Sequence, residues 1–116
     1  MKEALETLLT RGLPQPGLAA WGARLPDQAL ASHCYNDWFA PQQVEQALTR
    51  LTLAAESLRQ HKLEPLRLCW AFEHARIHLA LRRDGACLAF FVENRPGLST
   101  AALERLLEEF TALPGG

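Results

Sequence analysis

Three cysteines and four histidines are the side chains of this 116-residue sequence best suited to hold a metal or to attack a substrate. His74 and His78 stand four apart, which on a helix would give two ligands on one face. They fall instead in the alternating stretch "AFEHARIHLALRR". In a strand that spacing means roughly 13 Å, too far for one ion. His33, His78 and Cys87 would meet only through an accident of sheet order. A cysteine nucleophile needs a partner base. Cys69 and Cys87 lie at the centres of apolar strands, where a thiol is expected to be buried and inert. Glu108 and Glu109 fall on the polar side of a helix and read as solvated charges. No glycine-rich loop cradles phosphate, and Gly17 and Gly22 read as strand ends or close-packing positions. Trp21, Trp38 and Trp70 read as core. The expectation is a protein with no catalytic residue, no metal ligand and no cofactor, and therefore not an enzyme.

Composition points the same way. The chain is 48% hydrophobic and 22% charged, with a formal net charge of −1, ordinary for a globular protein. This balance offers no electrostatic case for nucleic acid or an acidic membrane surface. No apolar run reaches the roughly 20 residues of a membrane helix. Glu3 and Glu6 interrupt the apolar pattern of the N-terminus, so it does not read as a signal peptide. Three cysteines without CxxC spacing suggest thiols in a reducing compartment. The expected location is the cytoplasm, and the expected organisation one domain over residues 1–116.

The elements follow from periodicity. Leu5, Leu8 and Leu9 mark a helix over 1–11, with Gly12 as its stop. Residues 18–24 and 29–35 predict two short strands around "LPDQ", a turn at Pro26-Asp27. The longest helix is predicted within 37–62, with Asp37 as cap and Pro41 in the first turn. Its apolar stripe is Val44, Leu48, Leu51, Ala55 and Leu58, widened by Ala47 and Ala54, with Leu53 opposite. About 20 residues give a length of roughly 30 Å. That is enough to carry the chain from one edge of a five-stranded sheet to the other.

Period two returns over 66–94. Glu64-Pro65 marks the entrance of this region, and Asp84-Gly85 is the strongest hairpin signal in the chain. A two-residue loop there sets Leu81 opposite Leu88, Leu79 opposite Phe90 and Ile77 opposite Val92. A turn at His74-Ala75 pairs Phe72 with Ile77, Trp70 with Leu79 and Leu68 with Leu81. All the large apolar residues then share one face. The other face carries Cys69, Ala71, His78, Ala80, Cys87, Ala89 and Phe91, small enough for helices to approach. Ser99 or Thr100 caps a last helix with Leu103, Leu106, Leu107 and Phe110 in one stripe, and Pro114 and the glycines end it. The predicted fold class is α+β: a three-layer α/β/α domain with a five-stranded antiparallel sheet, in the order α-β-β-α-β-β-β-α.

The strand "PLRLCWAFE" follows the long helix and is predicted at a sheet edge. It is apolar and lacks the internal proline or lysine that blunts edges. Its expected partner is its own copy in an isologous dimer. The expected interface is Leu66, Leu68, Cys69, Trp70, Ala71 and Phe72 of the strand, with Ala47, Arg50, Leu51, Ala54 and Ser57 of the long helix.

With this order, the pieces "ALETLLTRG", "GLAAWGARLPDQALASHCY" and "LCWAFEHARIHLALRRDGACLAFFVENR" make the chain resemble the roadblock/LC7 family, related to the longin and profilin folds. Family members usually have an Asp-Gly-type turn in the first hairpin, where this chain has "LPDQ". The resemblance implies a homodimer whose sheets join edge to edge with the long helices packed together. It implies a non-enzymatic platform, regulating a small Ras-like GTPase or scaffolding a signalling complex. It supplies no catalytic residue. A second reading is a small-ligand sensor of the PAS or profilin-like kind, with the tryptophans and His33 lining a pocket. A third is a secretion-chaperone-like dimer, disfavoured by the near-neutral charge.

Overall fold

Leu5, Leu8 and Leu9 bury one side of the first helix, α1 (Lys2–Gly12). The coordinates, a computed structural model, describe residues 1–63 and 66–114. Glu64-Pro65, Gly115 and Gly116 lie outside the described residues. Gly12, expected as a stop, is the last residue of the helix and serves packing. A Cβ there would run into the Leu106 side chain, so glycine lets α1 lie close to the last helix.

The remaining elements are β1 (Leu18–Arg24), β2 (Leu30–Cys34), α2 (Pro41–Gln60), β3 (Arg67–Ala71), β4 (Ala75–Leu81), β5 (Cys87–Glu93) and α3 (Ala101–Thr111). The order is the one periodicity predicts. The strands form one antiparallel sheet in the spatial order β2-β1-β5-β4-β3. Helix α2 therefore joins the two edge strands. It packs on β1 and β2 across one face, while α3 packs on β4 and β5 across the other, with α1 beside it.

Helix α2 starts at Pro41, and Asp37 does not cap it. Proline fits the first helical position, and it pushes the residue before it into extended backbone. Ala40 accordingly has φ −81° and ψ 152°, and its N–H donates to Gln43 Oε1 at 2.8 Å. The buried stripe is Val44, Leu48, Thr52 and Ala55. Leu51 and Leu58, expected in this stripe, are half-buried. Thr52 takes the central place because its hydroxyl donates to the Thr49 carbonyl at 2.8 Å, which removes the cost of burying it. Gly22 seats the helix: a Cβ there would stand 2.9 Å from Val44 Cγ1.

The β4–β5 register differs from expectation by one residue. The loop is three residues long, Arg83-Asp84-Gly85. The Arg82 N–H donates to the Ala86 carbonyl at 2.9 Å, and Gly85 has φ +91°. Asp84 Oδ1 accepts the Ala86 N–H at 3.0 Å, and the same carboxylate holds the Arg82 guanidinium. This is a type I turn followed by a left-handed glycine. Leu81 now faces Cys87, Leu79 faces Ala89 and Ile77 faces Phe91. A one-residue slip turns a strand over. Leu88, Phe90 and Val92 therefore face α1 and α3, while Cys87, Ala89 and Phe91 join Ile77, Leu79 and Leu81 beneath α2. The large apolar residues divide between two cores rather than sharing one face.

The β3–β4 turn falls at Glu73-His74, one residue earlier than expected, and pairs Trp70 with Ile77 and Leu68 with Leu79. The shift is two residues, so both strands keep their faces. Asn94 holds the turn: its Nδ2 donates to the Phe72 carbonyl at 2.7 Å and its N–H to the His74 carbonyl at 3.0 Å. In α3, Leu103, Leu106, Leu107 and Phe110 are buried as predicted, and Ser99 Oγ accepts the Ala101 N–H at 3.3 Å.

Candidate dimerisation edge

Strand β3 ends the sheet, and among the described residues neither α2 nor α3 makes an extensive contact with it. The Phe72 N–H donates to the Ala75 carbonyl and the Leu81 N–H to the Leu66 carbonyl. Alternation along an antiparallel ladder then points the N–H and C=O groups of Leu68 and Trp70 at β4 and those of Arg67, Cys69 and Ala71 outward. Among the described residues none bonds these outward groups.

Side chains divide accordingly. Leu66, Leu68, Trp70 and Phe72 lie on the α2 side, with Leu66 58% and Phe72 54% exposed. Arg67, Cys69 and Ala71 are exposed on the α3 side. This corrects the expectation of a buried Cys69: the layer containing α3 stops at β4 and leaves it uncovered. Cys87 is buried, and burial pushes its thiol above the ordinary range.

Of the predicted helix residues, Ala47 and Leu51 border the same core as this edge. Leu51, Leu68 and Trp70 all border the core beneath α2. Ala47 and Phe72 line a common cleft of about 510 Å³, with Trp38, Phe39, Ile77 and Phe91. Arg50, Ala54 and Ser57 are exposed farther round the helix. Trp38, expected in the core, is instead 49% exposed at the mouth of this cleft. It lies in a connection, where no period marks it.

The residues tested for metal binding stay apart. His78 points to the α3 side and Cys87 to the α2 side, and His33 stands on β2 at the far edge. His78 is buried, and among the described residues its Nε2 has no hydrogen-bond partner. Burial lowers its pKa. Glu104 opposes that effect, and Arg67 and Arg76 add to it. Among the described residues, no three His, Cys, Asp or Glu side chains are grouped to hold an ion. Trp21 lines a separate cleft of about 150 Å³ between α1 and β1, so Trp21 and Trp38 do not share a pocket. Among the described residues no helix is long and apolar enough to cross a membrane.

No protein-family profile and no curated protein matches the sequence. Solved structures do match the fold. MglB of Myxococcus xanthus superposes with a TM-score of 0.66 at 10% identity, over 94% of this chain and 93% of that one. A roadblock/LC7 domain from Streptomyces avermitilis gives 0.64 at 11% identity, over 97% and 92%. This is the roadblock/LC7 fold. The gliding protein MglB of Thermus thermophilus gives 0.68 at 12% identity, over 95% and 87%.

The roadblock/LC7 fold accommodates the atypical first hairpin without a change of topology. Pro26-Asp27-Gln28 forms a three-residue loop like that at Arg83-Asp84-Gly85. The Leu25 N–H donates to the Ala29 carbonyl at 2.9 Å, and Asp27 Oδ1 accepts the Ala29 N–H at 3.0 Å. Gln28 takes the left-handed position with φ +76°.

Proposed function

We propose that the protein is a non-enzymatic, cytoplasmic homodimer that serves as a regulatory platform, acting on a small Ras-like GTPase or within a signalling complex. The observation that carries this reading is β3. Among the described residues its outward backbone groups are unbonded, and exposed Leu66 and Phe72 flank it. Such an edge joins another strand readily, and a second copy is the partner always at hand. The roadblock/LC7 fold supports the reading, since the family resemblance implies dimers that regulate Ras-like GTPases. One similar structure is described as MglB with a tetrameric arrangement, at 13% identity and a TM-score of 0.63.

Light scattering on the wild type and on Cys69→Arg tests the assembly. The wild type is expected as a dimer and the variant as a folded monomer by circular dichroism. A wild-type monomer at micromolar concentration removes the basis for the platform. Co-elution of the dimer with Ras-like GTPases of the host organism, loaded with a GTP analogue or GDP, tests the partner. Binding that distinguishes the two nucleotides supports regulation, and no binding to any of them refutes it.

A further inference from the structure

We propose that the cleft between α1 and the β1–β2 hairpin binds a free aromatic amino acid of phenylalanine size, with the ring in the cleft and the ammonium and carboxylate at its rim. The cleft lies on the α1–α3 side of the sheet, toward the edge opposite β3. The proposal is therefore independent of the dimer reading.

The packing of α1 makes the cleft. Gly12 lets the helix approach Leu106, and α1 packs chiefly on α3. A slot is left between α1 and the hairpin. The hairpin register sets Trp21 opposite His33 and Ala23 opposite Ala31. Two paired alanines put no bulk beside the indole. Leu5, Leu9 and Leu25 are buried in the core, and Trp21 and Ala31 are half-buried. These five residues line a space of about 150 Å³. An apolar cavity of that size accommodates a benzene ring. Trp21 favours an aromatic occupant over an aliphatic one, because ring pairs gain more than the area they bury.

The charges on the cleft select among aromatic molecules. They are Lys2 and Glu6, both exposed. Spaced four apart on α1, they share one face of the helix. Among the described residues neither has an ion-pair partner. An occupant of single charge would meet one opposite and one like charge. A zwitterion meets two opposite ones, its carboxylate at Lys2 and its ammonium at Glu6. The helix agrees with that orientation. Lys2 opens α1, no side chain caps it, and a helix N-terminus favours a carboxylate. An α-amino acid carries both charged groups on the one carbon from which its ring would enter the slot.

The test is an NMR titration of the isotope-labelled full chain. It follows the Trp21 indole N–H, whose signal is identified by its loss in Trp21→Phe. Phenylalanine is expected to shift this signal with a Kd of about 1 mM or tighter. Phenylpropionate, which lacks the ammonium, and phenethylamine, which lacks the carboxylate, are each expected to bind about threefold more weakly. Leucine, with the same charges and no ring, is also expected to bind more weakly. Glu6→Gln is expected to erase the advantage of phenylalanine over phenylpropionate, and Lys2→Gln its advantage over phenethylamine. Ala31→Leu fills the slot and is expected to abolish the shift with the fold intact by circular dichroism. No saturable shift at roughly 10 mM phenylalanine, or shifts centred on Trp38 instead, overturns the site. Phenylpropionate, phenethylamine or leucine binding at Trp21 as tightly as phenylalanine overturns the ligand class.

Discussion

Arg82 holds the end of α3 through Phe110. Its Nη1 donates to the Phe110 carbonyl at 2.6 Å, and the guanidinium carbon lies 5.6 Å from the centre of the Phe110 ring. The same guanidinium meets Asp84 at 3.1 Å, with the Arg82 side chain 2% exposed. One buried cation thus joins the β4–β5 loop to the last carbonyls of a helix, the end that favours positive charge.

Arg82→Ala is expected to destabilise the fold by about 3 kcal/mol in urea denaturation, because it leaves the Asp84 carboxylate and a helix carbonyl without their donor. Arg82→Lys is expected to restore little, since an ammonium cannot serve both partners in the geometry of the planar fork. Burial pushes the Asp84 carboxyl up. The hydrogen bonds from Arg82 and Ala86, with the Arg82 charge, outweigh burial and hold it below the usual value. This contribution is complete above the unfolded carboxylate pKa of about 4 and is lost as pH falls below it. A wild-type acid limb no steeper than that of Arg82→Ala contradicts this account.

The two matched hairpin loops give substitutions of opposite sign. Gln28 occupies a left-handed position that costs a side-chain-bearing residue about 1 kcal/mol, so Gln28→Gly is expected to raise the melting temperature by about 4 °C. Gly85 occupies the equivalent position with nothing within 4 Å of its missing Cβ. Gly85→Ala is therefore expected to lower the melting temperature by a similar amount through backbone strain alone. Equal shifts in one direction for both variants would break the equivalence.

Acidification is expected to weaken the α3 layer through His78. The groups around it are Glu104 on α3, Arg67 on β3 and Arg76 on β4, and its pKa lies below the ordinary histidine value. A lowered histidine pKa means the folded state resists the proton. Stability is complete above the unfolded pKa of about 6.5 and declines as pH falls from there. Denaturation midpoints measured from pH 7.5 to 5 should fall for the wild type and stay flatter for His78→Leu. Parallel curves would place the pH dependence elsewhere.

Much of this architecture is local and therefore legible in the sequence. Leu5, Leu8 and Leu9 place α1, the Leu103–Phe110 stripe places α3, and alternation places five strands, because 3.6-residue and two-residue periods are properties of a single element. The length of α2 also indicates that the strands on either side of it lie at opposite edges. The phase between elements is a different matter. Whether Phe90 or Phe91 lies beneath α2 turns on one extra loop residue, and that is decided by Asp84 bonding both Ala86 and Arg82. Thr52 rather than Leu51 is buried in the α2 contact because its hydroxyl is satisfied by the Thr49 carbonyl, which apolar periodicity does not register. Cys69 is exposed because the α3 layer covers its face of the sheet only as far as β4, which no period within β3 records. The sequence determined the elements and their order. Tertiary contacts decided their register, their facing sides and the uncovered edge, because these depend on groups distant in the chain meeting in space.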